Sequence, residues 1–284
     1  MGAIRIIPRL DIKGPNLVKG IHLEGLRVLG SPEDFASYYY ENGADELMYT
    51  DVVASLYERN SLNDLISNTA KKIFIPLTAG GGIRTIDDIK KVLRAGADKV
   101  SINTAAIKNP EFIKEASRKF GSSTIVVTIE AIRQPNGEYF AYIDNGREHT
   151  GVEVIAWARR VEELGAGEIV LTSVDKEGTG EGFDIELIAQ VAKNAGIPVI
   201  AHGGAGSPED IVKAIKAGAD AVSVASILHY GFIHHNAFSV RKETEGNTEF
   251  LQKKKSYGKI TPCDLEDLRN VLLENNIETR CKTA

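Results

Sequence analysis

The sequence predicts a single (β/α)8, or TIM, barrel built from two half-barrel repeats. Three observations carry that expectation. Short β-branched runs alternate with amphipathic stretches along the chain, the pattern of a parallel sheet with helices between its strands. Eight such strands fall within 284 residues, a length that one α/β barrel fills as a single unit. The third observation is internal repetition at a constant offset of 122 residues. Gly43-Ala44-Asp45-Glu46 pairs with Gly165-Ala166-Gly167-Glu168, Gly81 with Gly203, Asp98 with Asp220, and Asn103-Thr104 with Ala225-Ser226. One offset kept over most of each half marks two copies of four βα units.

Each element has its own signal. Ile4 to Ile12 is the first strand. Ser31-Pro32-Glu33-Asp34 offers an N-cap, a proline at the first helical position and first-turn acids, so a helix runs to about Asn42. Glu46 to Asp51 is strand two, and Ser61 to about Lys71 a helix. The run Ile73 to Thr78 is strand three, ending at Gly80. Thr85 caps the next helix, with Asp87 and Asp88 in its first turn. Lys99 to Asn103 is strand four, and Asn109-Pro110 opens a helix to about Phe120. Thr124 to Glu130 is strand five. Glu138 to Tyr142, between Pro135-Asn136-Gly137 and Asn145-Gly146, predicts a hairpin inserted over 131–148. The alternation then resumes: helix Val152–Leu164, strand six Glu168–Ser173, helix Asp184–Asn194, strand seven Ile197–His202. Ser207-Pro208-Glu209-Asp210 repeats the earlier cap chemistry, and Asp220 to Val224 is strand eight. A polar excursion is expected over 232–257 before a last helix opened by Thr261-Pro262 and running through about Asn275. The whole of 1–284 is then one domain.

Composition narrows the function. The net charge of −5 gives no support for nucleic-acid binding, and no apolar run reaches the ~18 residues of a membrane span. The start, Met1 to Arg5, is no signal peptide, and Ile6 is not the Ser or Thr of a myristoylation signal. Cys263 and Cys281 lack metal-ligand spacing and are expected as free thiols in a reducing cytoplasm. His234-His235 has no third ligand at suitable spacing. No metal is expected, and Lys253-Lys254-Lys255 reads as a solvated face.

In such barrels the site forms at the C-terminal ends of the strands. Asp11 ends strand one and Glu130 ends strand five, opposite each other in the ring. They are candidates for an acid–base pair, although two such carboxylates can also do no more than cap loops or bind lysines. Two glycine-rich junctions flank them. The first cup joins Gly81 and Gly82 to Asn103 and Thr104. The second joins Gly178 and Thr179 to Gly203, Gly204, Ala225 and Ser226. Glycines, a hydroxyl and a helix N-terminus suit a phosphate, whereas glycines alone serve equally for turns. Two cups with two acids between them suggest an elongated substrate phosphorylated at both ends. At the opposite end, Arg5, Glu46, Lys99 and Glu168 open strands one, two, four and six. Strand alternation turns Arg5 and Lys99 inward, predicting either a structural layer of salt bridges or a gate for a small species entering from below. Arg9, Thr50 and Thr128 share the inward parity and make the bore polar.

Several stretches carry a family resemblance: Ile6 to Asp11, Leu17 to Gly20, Gly43 to Glu46, Ile75 to Arg84, Ala95 to Asn103, Leu164 to Gly178 and Ile197 to Gly206. Over roughly 4–230, and again from Ile260, the chain resembles the cyclase subunit of imidazole glycerol phosphate synthase. The resemblance implies an ammonia-using lyase of histidine synthesis. Its substrate would be a bis-phosphorylated formimino-aminoimidazole-carboxamide ribonucleotide, its products imidazole glycerol phosphate and aminoimidazole carboxamide ribonucleotide. It also implies that no cofactor is needed. A glutaminase partner would dock on the barrel floor and send ammonia up the core, and Lys19 would lie on a mobile first loop over the substrate. Three positions depart from the family pattern: Glu130 and Glu177 stand where the family has Asp, and Arg9 where it commonly has Cys. A buried guanidinium needs a partner, and Glu130, held ionised by it, is the first expected. These departures, with the unusual 232–257 segment, resemble divergent paralogues that deliver ammonia for the amidination of bacterial surface sugars.

Overall fold

The computed structural model describes residues 2–54, 62–235 and 259–280. In chain order its elements begin with β1 (Arg5–Lys13), β2 (Asn16–Ile21), β3 (Glu24–Gly30), α1 (Pro32–Glu41), β4 (Leu47–Asp51), α2 (Asn63–Ala70), β5 (Leu77–Gly80) and α3 (Ile86–Ala95). Next come β6 (Lys99–Ile102), α4 (Thr104–Lys108), α5 (Glu111–Phe120), β7 (Ile125–Arg133), β8 (Tyr139–Ile143), β9 (Glu148–Glu153) and α6 (Val154–Glu163). The last are β10 (Glu168–Ser173), α7 (Ile185–Asn194), β11 (Val199–His202), α8 (Pro208–Lys216), β12 (Ala221–Val224), α9 (Ser226–His235) and α10 (Leu265–Glu274).

Eight of these strands pair in parallel in the order β1, β4, β5, β6, β7, β10, β11, β12, and β12 returns to β1. The sheet is therefore a closed (β/α)8 barrel, with no free edge on any of the eight. β1 and β7 stand opposite each other. They are also the two longest strands, nine residues each, and each runs beyond the barrel into an antiparallel hairpin: β2–β3 on β1, β8–β9 on β7. Both hairpins rise over the C-terminal mouth.

The helices bury one face against the outside of the barrel. α3 shows how local sequence sets its limits. Thr85 and Asp88 form a reciprocal capping box at its start, and Gly96 closes it in a left-handed conformation at φ 117°, which glycine adopts without penalty.

Several expected boundaries move. The first hairpin was not foreseen, because its turn is made by His22 and Leu23 at φ 53° and 61°, with none of the Asn-Gly chemistry that betrays such turns. The second insertion is larger than 131–148, since β9 continues to Glu153 and the following helix starts at Val154. An extra five-residue helix, α4, precedes the one expected after Asn109-Pro110. The last helix starts at Leu265 rather than at Thr261-Pro262, because Asp264 and Asp267 make the capping box there. The polar excursion is corrected at its start: Phe232 and Ile233 are buried in α9. Residues 236–258, with Lys253-Lys254-Lys255, lie outside the described residues, as do Ser61 and Cys281.

Candidate active site

Inward-facing side chains stack in layers up the bore. At the floor, Arg5 Nη1 donates to Glu46 Oε1 and Glu168 Oε1, both at 2.7 Å. Lys99 Nζ donates to the other oxygen of each, Glu46 Oε2 and Glu168 Oε2, at 3.0 Å. Four alternating charges thus close a ring. Above it lies an apolar layer of Ile7, Met48, Val126, Val170, Ile200 and Ala221. The next layer is polar, with Arg9, Thr50, Ser101, Thr128, Thr172, His202 and Ser223. Ser101 and Thr128 share a hydroxyl hydrogen bond of 2.6 Å. His202 Nδ1 bonds the Ser223 carbonyl at 2.8 Å, so its proton sits on Nδ1 and burial drives its pKa down to about 3. Nothing in the sequence reading marked His202, Thr172 or Ser223, although all three share the inward parity of their strands.

Asp11 and Glu130 crown this stack, and their surroundings differ. Arg9 Nε donates to Asp11 Oδ1 at 2.8 Å, and Lys19 Nζ stands 4.0 Å from Asp11 Oδ2. Burial alone would raise the Asp11 pKa, but Arg9 and then Lys19 outweigh it and hold the carboxyl below its ordinary value. Arg9 thus pairs with Asp11, not with the Glu130 expected from parity, because two residues along one strand face the same side. Glu130 is 8% exposed and accepts from the Gly146 backbone N–H at 2.8 Å. Burial dominates there and lifts its pKa to about 7, against the weaker downward pull of Gly146 and Arg9. Glu130 is therefore not held ionised, contrary to the expectation.

A cavity of about 450 Å3 is walled by Gly81, Gly82, Asn103, Thr104, Arg9 and Glu130, among others. The first cup and the second acid therefore share one space. At its rim the tip of the β8–β9 hairpin closes in. The Asp144 backbone N–H donates to Thr104 Oγ1 at 3.3 Å, and that hydroxyl lies 3.4 Å from Asp144 Oδ1. The Asn145-Gly146 pair predicts only a turn here. A separate cavity of about 270 Å3 brings Gly178 and Ser226 together with Lys19, Gly20, Arg27 and Tyr230. Gly203 is the counterpart of Gly81 in the repeat. Both hold positive φ, 93° and 98°, and a Cβ on either would strike a backbone carbonyl, of Ser173 or Asp51. Gly204 packs against Gly182, and Ala225 is buried. The Thr179 hydroxyl is taken by the Lys176 carbonyl at 2.7 Å.

Two placements correct the sequence reading. Lys19 is on a strand of the first hairpin, 5% exposed, and ion-paired with Glu177. Glu177, 1% exposed, accepts from the Leu23 backbone N–H at 2.9 Å through its other oxygen. Glu177 therefore fastens the first hairpin to the loop after β10, and its oxygens are committed to Lys19 and the Leu23 N–H rather than turned to a phosphate. Among the described residues no group of three His, Cys, Asp or Glu is placed to hold a metal ion.

Comparison with known proteins decides the family. The profile of the histidine biosynthesis protein family matches residues 5–234. Imidazole glycerol phosphate synthase subunit HisF of Legionella pneumophila is 58% identical over 210 residues, 74% of this chain and 99% of that one. Its namesake in Methanopyrus kandleri is 49% identical over 248 residues, 81% and 91% of the two chains. That of Streptomyces griseus is 48% identical over 229 residues, again 81% and 91%. The chain belongs to this family. It is an enzyme subunit, the cyclase of imidazole glycerol phosphate synthase, and its place is in histidine biosynthesis. Those relatives are named as subunits, parts of a larger synthase. No helix among the described residues is long and apolar enough to cross a membrane.

Proposed function

We propose that Asp11 and Glu130 divide the proton chemistry of the cyclase reaction. Asp11, ionised at every working pH, is the base. Glu130, half-protonated near neutrality, is the acid that delivers a proton to the departing amine. The opposite proton states of two carboxyls crowning one bore carry this reading. The substrate is the bis-phosphorylated formimino-aminoimidazole-carboxamide ribonucleotide. One phosphate sits at Gly82, the Thr104 hydroxyl and the Asn103 backbone and the other at Gly178 and Ser226, with Gly81, Thr179, Gly203, Gly204 and Ala225 shaping the two cups. The products are imidazole glycerol phosphate and aminoimidazole carboxamide ribonucleotide, and no cofactor takes part.

The nitrogen comes as ammonia from a glutaminase subunit docked at the N-terminal face, in the cytoplasm. Two features support that face. The Arg5–Glu46–Lys99–Glu168 ring is a charged closure that a partner's charges can open. Phe74, just before β5 and so on the same side, is 82% exposed, an aromatic anchor of the kind interfaces use. Ammonia delivery to a sugar-amidinating enzyme, the alternative reading, would give a protonated Glu130 nothing to do.

The test is the pH profile of kcat/KM with ammonium chloride at a fixed concentration of free ammonia. The rate should hold below about pH 7 and then fall as Glu130 loses its proton. A rate still climbing through pH 8 would remove Glu130 as the acid.

A further inference from the structure

The cavity that holds the first cup carries polar atoms that no described group satisfies. Arg9 spends its Nε on Asp11, yet its buried Nη1 has no hydrogen-bond partner. Arg9 is 3% exposed and lines the cavity wall. Asn103, which lines the same cavity, donates from Nδ2 to the Tyr142 carbonyl at 3.3 Å, which leaves its Oδ1 buried and unpartnered. Thr50, which lines that cavity too, has a third orphan in its Oγ1. A buried donor and acceptor left unmade cost stability, and they are kept together here around one space.

Charge decides what fits them. Arg9 is balanced by Asp11 and Lys19 by Glu177, and Glu130 carries a proton up to about pH 7. The cluster is then close to neutral. A further anion pressed against Arg9, beyond a phosphate at the Thr104 rim, would add an uncompensated buried charge, which is costly. A neutral group with one acceptor oxygen and N–H donors adds none.

We propose that Arg9 and the Asn103 side chain form a third subsite, in the same cavity as the first phosphate cup, that binds the primary carboxamide of the substrate's central ring. The carboxamide oxygen accepts from the Arg9 guanidinium, and its NH2 donates to Asn103 Oδ1 and to Thr50 Oγ1. The ring is thereby fixed beside Glu130, and Arg9 becomes a specificity-determining residue. This rests on the bis-phosphorylated carboxamide substrate proposed above.

The experiment is calorimetric titration of the full chain with aminoimidazole carboxamide ribonucleotide and with the same ribonucleotide lacking the carboxamide. The natural protein should bind the first about tenfold or more tightly, the usual weight of a charge-assisted hydrogen bond. Arg9→Gln should shrink the ratio to under about twofold. Arg9→Lys keeps a cation beside Asp11, guarding against misfolding, and should shrink it too, because an ammonium lacks the fork. Ser226→Ala should leave the ratio unchanged. Equal affinities in the natural protein, or a ratio that survives both Arg9 variants, overturns the subsite and leaves the substrate reading standing. If neither ribonucleotide binds at millimolar concentration, the substrate reading falls and the subsite with it.

Discussion

β1 and β7 are the same strand in two copies of a half-barrel, and each ends in a carboxyl beneath a hairpin. What differs is the residue two places earlier. In the first half it is Arg9, which donates to Asp11 at 2.8 Å; in the second it is Thr128, which turns to Ser101. Backbone symmetry places two carboxyls alike, and one side-chain choice beneath each sets them apart. The cation holds Asp11 ionised, while its absence beneath Glu130 lets burial keep a proton on that group up to about pH 7. On the proposed reading, a duplicated scaffold becomes an asymmetric acid–base site through local electrostatics.

The largest expected effect comes from removing the charge that Arg9 maintains. Asp11→Asn keeps an oxygen for Arg9 Nε but loses the base. Ammonium-dependent turnover should fall by about 10²–10⁴-fold with substrate affinity nearly unchanged. Full turnover in Asp11→Asn would leave the asymmetry without a catalytic purpose.

Next in size is the stability of the second carboxyl. The folded pKa of Glu130 is raised to about 7 from an ordinary 4.5. Its contribution is therefore fully present below about pH 4.5 and is lost as pH rises through 7, because the unfolded chain ionises first. Glu130→Gln does not titrate and still accepts from Gly146. Between pH 5 and pH 9 it should gain on the parent by on the order of 3 kcal/mol in unfolding free energy. A pH-independent difference in denaturant melts would mean that Glu130 titrates normally.

The repeat makes plain which parts were legible in the sequence. Barrel, strand order and floor ring follow from periodicity and offset alone, since burial on both faces forces β-branched runs. The first hairpin was hidden because His22 and Leu23 occupy left-handed conformations that their residue types disfavour. The Arg9 partner was misjudged because parity tells which way a side chain faces but not which of two facing carboxyls it reaches. The committed state of Glu177 was equally hidden, since its partner Lys19 lies 158 residues away.

The cups themselves offer a smaller test. Thr104 lines the large cavity and Ser226 the separate one. Thr104→Ala and Ser226→Ala should each weaken a bis-phosphorylated ligand by about tenfold, the usual cost of one hydrogen bond to a charged group. Their free energies should add, because sites without shared partners rarely couple. A double variant no worse than either single one would merge the two cups into one.

The smallest effect distinguishes the cups by what already occupies them. In the first, the Asp144 carboxylate lies 3.4 Å from the Thr104 hydroxyl and 3.6 Å from Lys108 Nζ. It stands where a phosphate oxygen is expected, and the Lys108 side chain, 57% exposed, screens it little. A phosphate arriving at Thr104 meets a like charge and must push the hairpin tip aside. Asp144→Asn keeps the tip's shape and removes the repulsion, so inorganic phosphate should bind the first cup a few-fold more tightly, as expected for one partly screened charge pair. Asp144 also contributes to the raised pKa of Glu130. The same substitution should therefore move the fall in kcat/KM to lower pH. Both shifts together identify Asp144 as a carboxylate competing for the phosphate site. Weaker phosphate binding with an unmoved pH profile would make it instead a residue that holds Thr104 in place.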